Sequence, residues 1–122
     1  MGQRAHQVMG AGFSQGQAIA INGSMNASVS AAGTTQATAT AIGAANFMVT
    51  TAAAGSGVIL PQGQPGDEID GFNGTSNSFY VYPPTGAKFN NLSTNGGILL
   101  GPGTSATFKQ WTTTQYTVLM SA

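Results

Sequence analysis

Residues 78 to 86 read SFYVYPPTG. Alternation with a period of two sets Phe79 and Val81 on one face and Tyr80 and Tyr82 on the other, which is the pattern of a β-strand. Pro83 and Pro84 cannot donate to a strand ladder, so the strand must end there at an edge or an exit. Thr85-Gly86 then turns the chain toward Lys88 and Phe89. Phe79 and Val81 belong to the core, where burying each side chain contributes about 1.5–3 kcal/mol. In a free monomer the opposite face of such a strand is mostly polar. Two tyrosines there point to a protein interface, because the ring is apolar and its tip is polar.

The same reading extends along the chain. Ala37, Ala39 and Ala41 alternate with Gln36, Thr38 and Thr40 in TTQATATAI, residues 34 to 42, which predicts a strand with an alanine face. NFMVTT, residues 46 to 51, alternates Phe47 and Val49 with Asn46, Met48 and Thr50. GVILP, residues 57 to 61, is a short buried-type run closed by proline, and a turn centred on Pro65-Gly66 follows it. DEIDGF, KFNNL, ILL, TSATFKQW and TQYTVLMSA complete the series. In the last, Tyr116, Val118 and Met120 share one face. Turns recur every ~8–12 residues and no stretch carries trustworthy helix signals, a spacing that predicts an all-β sandwich or barrel. The fold expected is a single antiparallel β-sandwich or jelly-roll-like domain over residues 17–122. Residues 1–16, broken by four glycines, form an extended N-terminal arm whose Val8, Met9 and Phe13 are apolar enough to dock on a neighbour.

Charge narrows the function. The chain has 122 residues, of which three are Lys or Arg and three are Asp or Glu, giving 5% charged residues and zero formal net charge. A typical globular domain carries about 25%. Little charge repulsion remains to keep such a protein dispersed, which suits a permanent assembly better than a freely diffusing monomer. The scattered basic residues give no electrostatic footprint for nucleic acid. Nothing in the sequence marks a membrane segment. With no cysteine there is no disulfide, zinc-thiolate or thiol chemistry.

Catalysis needs converging titratable groups, and His6, the single histidine, lies in the glycine-broken arm. No catalytic residue and no cofactor are therefore expected. Asp67, Glu68 and Asp70 crowd a strand start and are weak candidates for a calcium site, since carboxylates suit a hard cation. They lack the spacing of a calcium-binding loop, and a solvated strand start that discourages edge pairing explains them as well. GPGTSA, residues 101 to 106, fits a glycine-rich dinucleotide fingerprint only formally: a β pattern follows where a helix should begin, so it reads as a hairpin turn. Asn22, Asn26, Asn73 and Asn91 head glycosylation-type tripeptides that read as turns in an Asn- and Ser-rich chain.

TTQATATAI, GVILP with PGDEI, SFYVYPPTGAKFN, GPGTSATFKQW and the closing TTTQYTVL occur in an order that resembles small virion proteins of tailed bacteriophages. The resemblance is greatest to the capsid cement or decoration (head stabilisation) proteins and covers about three-quarters of the chain. It implies a non-enzymatic protein that binds the outside of the phage head as a homotrimer, after synthesis in the bacterial cytoplasm, and stabilises contacts between major capsid protein subunits. Tyr80, Tyr82 and Trp111, with Val8, Met9 and Phe13 of the arm, are the candidate contacts to sister subunits or capsid. The alternative is a tail-fibre, tail-tip or receptor-binding module in which the same aromatics stack on sugar rings.

Overall fold

The computed structural model describes residues 24–121 and contains ten strands among them. They are β1 (Met25–Ser30), β2 (Thr40–Ala41), β3 (Asn46–Thr51), β4 (Gly57–Ile59), β5 (Glu68–Asn73), β6 (Phe79–Tyr82), β7 (Lys88–Phe89), β8 (Ile98–Leu100), β9 (Ser105–Gln110) and β10 (Gln115–Met120). The predicted arm, with His6, Val8, Met9 and Phe13, lies outside the described residues.

The all-β expectation holds, but the antiparallel arrangement does not. One sheet has the order β1-β3-β5-β9-β10-β7 and the other β2-β4-β6-β8. Through the first six strands the chain crosses from one sheet to the other at every turn. Odd strands therefore meet odd strands in parallel, and even strands meet even strands in parallel. The result is a solenoid-like stack whose coils repeat after roughly twenty residues, within the range of known repeat architectures. Parallel neighbours require a crossover connection, and here a strand of the opposite sheet serves as that crossover. Among the described strands, antiparallel pairing enters where β9 returns along β5, β10 along β9, and β8 along β6, with one isolated antiparallel bridge between Ala32 and Gly57. The single hairpin among the described residues is β9–β10, closed by Trp111 N–H donating to Gln115 C=O at 2.9 Å.

Two local expectations also change. TTQATATAI is a 3-10 turn at Gln36–Thr38 followed by the two-residue β2, with no continuous alanine face. The Thr38 hydroxyl accepts from the amides of Thr34 and Thr35 and lies 2.9 Å from the Thr35 hydroxyl, so side chains satisfy backbone groups that a strand ladder would otherwise need. Gly33, at φ 71°, lies against Thr38 at the entry to this turn. The turn at Gly101-Pro102-Gly103 forms as expected, with Gly103 at φ 71°, yet it joins β8 to β9 in different sheets and is a corner, not a hairpin.

The inward faces of both sheets share one core. Phe47, Val49, Phe108 and Tyr116 come from the first sheet and Val58, Phe79, Val81 and Leu100 from the second. Phe47 pairs with Gly71 on β5 and covers it so closely that a Cβ at position 71 would collide with the ring. The glycine is thus a requirement of the neighbouring aromatic, not of a turn. Phe89 lies 5.4 Å from the Phe108 ring and 6.2 Å from the Tyr116 ring, the second contact edge-to-face.

Buried polar groups tie the sheets together. Asn73, the last residue of β5, donates from Nδ2 to Leu100 C=O at 3.0 Å and to Asn77 C=O at 2.8 Å, while its Oδ1 accepts from the Thr75 amide and hydroxyl. Every bonding position of the side chain is matched, which is what burial of an amide demands. The following Gly74 amide donates to Val49 C=O at 2.9 Å. At the surface, Asn95 adopts φ 67°, and its Oδ1 accepts from Gly86 N–H at 2.6 Å and from Gln36 Nε2 at 3.2 Å. Gly96 N–H in turn donates to Ser93 C=O. Asn26 and Asn73, predicted in turns, instead lie within β1 and at the end of β5, and Asn22 lies outside the described residues.

Candidate functional site: the outer faces of the two sheets

Phe79 and Val81 are fully buried, as the strand reading requires, and Tyr80 and Tyr82 occupy the other face of β6. β6 is an interior strand, flanked by β4 and β8. The prolines therefore mark the exit of the chain from the sheet rather than a sheet edge, and they follow the last paired residue, Tyr82.

The two tyrosines are not equivalent. The Tyr82 ring lies flat over the sheet between Gly57 and Gly97, where added Cβ atoms would stand 2.6 and 2.8 Å from it. Tyr80 stacks on Tyr82 with ring centres 6.0 Å apart and remains 37% exposed. Register continues the apolar surface sideways: Leu99, 50% exposed, is opposite Tyr80, and Ile59 is opposite Tyr82 with Ala41 beyond it. Tyr80 and Leu99 thus head an apolar surface that runs from the β8 edge across β6 of the second sheet.

The outer face of the first sheet carries charge beside exposed apolar side chains, Phe72 on β5 and Leu119 on β10. Glu68 and Lys109, cross-strand partners, approach to 3.9 Å with both side chains substantially exposed, so the pair adds little stability. Lys109 Nζ also stands 4.5 Å from the centre of the Trp111 ring, and Trp111 Nε1–H donates to the Thr117 hydroxyl at 2.8 Å. Trp111, 54% exposed, is held in place by these two contacts. It does not join Tyr80 and Tyr82: the three aromatics named from the sequence divide between opposite sheets.

The acidic residues also separate. Asp70 accepts from the Thr107 hydroxyl at 2.6 Å, Glu68 faces Lys109, and Asp67 Oδ2 accepts from the Gln64 amide at 2.8 Å. Each carboxylate has its own partner, and among the described residues no three His, Cys, Asp or Glu side chains gather as a metal site.

All five charged residues described, Asp67, Glu68, Asp70, Lys88 and Lys109, belong to strands of the first sheet or to the turn that enters it. The second sheet has none. Composition announced the scarcity of charge, but only the strand order reveals its segregation.

A cleft of about 350 Å³ opens where the β2–β3 and β4–β5 connections pass the end of the core. Asp67, Gln110 and Tyr116 are among the residues that line it. The sequence reading did not single out Gln110 or Gly63, and the alternation of β9, which points Gln110 inward with Phe108, was the available signal. In comparisons with known proteins, no family model matches this chain and no curated protein is similar to it.

Proposed function

We propose that this chain is a non-enzymatic structural protein of a tailed-bacteriophage virion: a cement or decoration protein that binds the outside of the head as a trimer and strengthens contacts between major capsid protein subunits. The observation that carries the reading is the uncharged outer face of the second sheet, where Tyr80 and Leu99 stand exposed beside Tyr82 and Ile59. Contiguous exposed apolar surface of this kind marks protein contact sites, and tyrosine is enriched at their centres. The first sheet, with the turn that enters it, carries all five charged residues described, and Phe72 and Leu119 are exposed on it among them.

Cementing is a binding function. A contact of standard size buries about 1,600 Å² in total, and icosahedral symmetry repeats it over the shell, so the stabilisation of the head grows with copy number. The resemblance of the sequence to small phage virion proteins supplies the choice of capsid as partner. Sedimentation of the purified chain with assembled and with disrupted capsids tests the reading. Retention by assembled heads, lost in the double variant Tyr80→Ser/Leu99→Ser, is expected; equal retention of that variant, or no retention of the parent chain, overturns it.

A further inference from the structure

Tyr116 is only 2% exposed; the Gly63 backbone amide approaches its oxygen, but the hydroxyl makes no hydrogen bond of good geometry with the described residues and its own O–H has no acceptor among them. A buried hydroxyl without a partner is unfavourable, and most such groups in folded proteins are matched. This one lines the cleft at the end of the core. Around it lie two further polar side chains at fixed positions. Gln110, fully buried, donates from Nε2 to Gly63 C=O at 3.3 Å, leaving Oε1 without a donor among the described residues. Asp67 accepts from Gln64 through Oδ2 only. Gly63 lets both approach: a Cβ there would stand 2.6 Å from Asp67 Oδ2 and 3.0 Å from Gln110 Oε1. Ile69, Phe108 and Pro61 supply apolar walls.

The complement of this set is specific. Gln110 Oε1 and the Asp67 carboxylate accept, while the Tyr116 hydroxyl, held neutral by its burial, donates. A ligand hydroxyl both donates and accepts, so neighbouring hydroxyls on one small molecule match all three groups at once. Among the described residues no basic side chain lines the cleft, which disfavours an anion. The volume, equal to roughly a dozen waters at about 30 Å³ each, lies at the small end of ligand pockets. We infer that the cleft between Gly63, Gln110 and Tyr116 binds a neutral polyhydroxylated ligand of monosaccharide size, the hydroxyls engaging Tyr116, Gln110 and Asp67 and the carbon face resting on Phe108 and Pro61.

The inference is independent of the capsid reading, which concerns the opposite sheet and is read by capsid retention. Its test is an NMR titration of the full chain with glucose, galactose, mannose and rhamnose, with glycerol and methylammonium as separate arms. Saturable shifts at Gly63 and Gln110 with at least one sugar, at millimolar affinity, are expected. Glycerol should bind more weakly, because it lacks the ring face. Tyr116→Phe should keep the spectrum of the folded chain and weaken the sugar about tenfold, the value of one hydrogen bond of 1.4 kcal/mol. Gly63→Ala, by displacing Asp67 and Gln110, should weaken it as well. Absence of saturation with every sugar means that water alone occupies the cleft and overturns the inference. Unchanged affinity in Tyr116→Phe, glycerol binding as tightly as the best sugar, or tighter binding of methylammonium overturns it too.

Discussion

The buried Tyr116 hydroxyl couples the stability of the fold to pH. Burial pushes its pKa above the usual tyrosine value near 10, the Gly63 backbone pulls the other way, and Asp67 adds to the rise. A neutral phenol is therefore favoured in the folded state. Stability linked to this group is fully present below the unfolded value of about 10 and is lost as pH rises through the folded value. Denaturant midpoints measured from pH 8 upward should fall at the alkaline end, and Tyr116→Phe should flatten that fall. At neutral pH the same variant should match or exceed the parent by up to about 1 kcal/mol, because it removes a hydroxyl that lacks a partner; a loss of 2 kcal/mol or more would show that the hydroxyl is satisfied in solution. Gly71 gives the opposite case. Phe47 fills the space a side chain would need, so Gly71→Ala should cost about 1–3 kcal/mol in thermal or denaturant unfolding, as overpacked cores do.

At the level of strands, β6 shows how one element divides its work. Phe79 and Val81 hold the core, Tyr82 is set into the sheet surface by Gly57 and Gly97, and Tyr80 stands free. Tyr80→Ser should therefore leave the unfolding midpoint nearly unchanged and weaken association, by about 2 kcal/mol or roughly thirtyfold if Tyr80 is a hot spot. Tyr82→Ser should lower the midpoint itself; equal effects of the two on stability would remove the distinction. The alternation that identifies β6 was legible because a strand's inside and outside follow from residue spacing alone. Strand neighbours were not. A turn such as Gly101-Pro102-Gly103 uses the same residues whether it reverses a hairpin or rounds a corner into the opposite sheet, so spacing and turn chemistry suit an antiparallel sandwich and a solenoid equally. TTQATATAI misled for another reason: its threonines alternate like strand residues, yet their hydroxyls cap a local turn. The cleft was beyond reach because Gly63, Gln110 and Tyr116 come together only through pairing between β9 and β10 and the passage of the β4–β5 connection.

For the whole molecule, parallel coils mean that most strand partners are distant in sequence, and chain closure precedes the contacts that reward it. Refolding from denaturant should proceed in milliseconds to seconds, slower than helical proteins of similar length; microsecond refolding in stopped-flow or temperature-jump experiments would show that local contacts dominate. The bonding of Asn73 and Asn95 adds a consequence of another sort. Asparagine followed by glycine is the sequence most prone to chemical ageing, in which the glycine amide nitrogen attacks the side-chain carbonyl and ammonia leaves through a cyclic imide. Here both glycine amides already donate to backbone carbonyls, Gly74 to Val49 and Gly96 to Ser93, and both asparagine side chains are held by several bonds. Each glycine amide hydrogen is engaged elsewhere, and each asparagine side chain must break its own bonds before it can turn toward the nitrogen. Peptide mass mapping after long warm incubation should find both asparagines intact in the native chain and converted to aspartate or isoaspartate only when denaturant is present, so the fold works as a preservative as well as a scaffold.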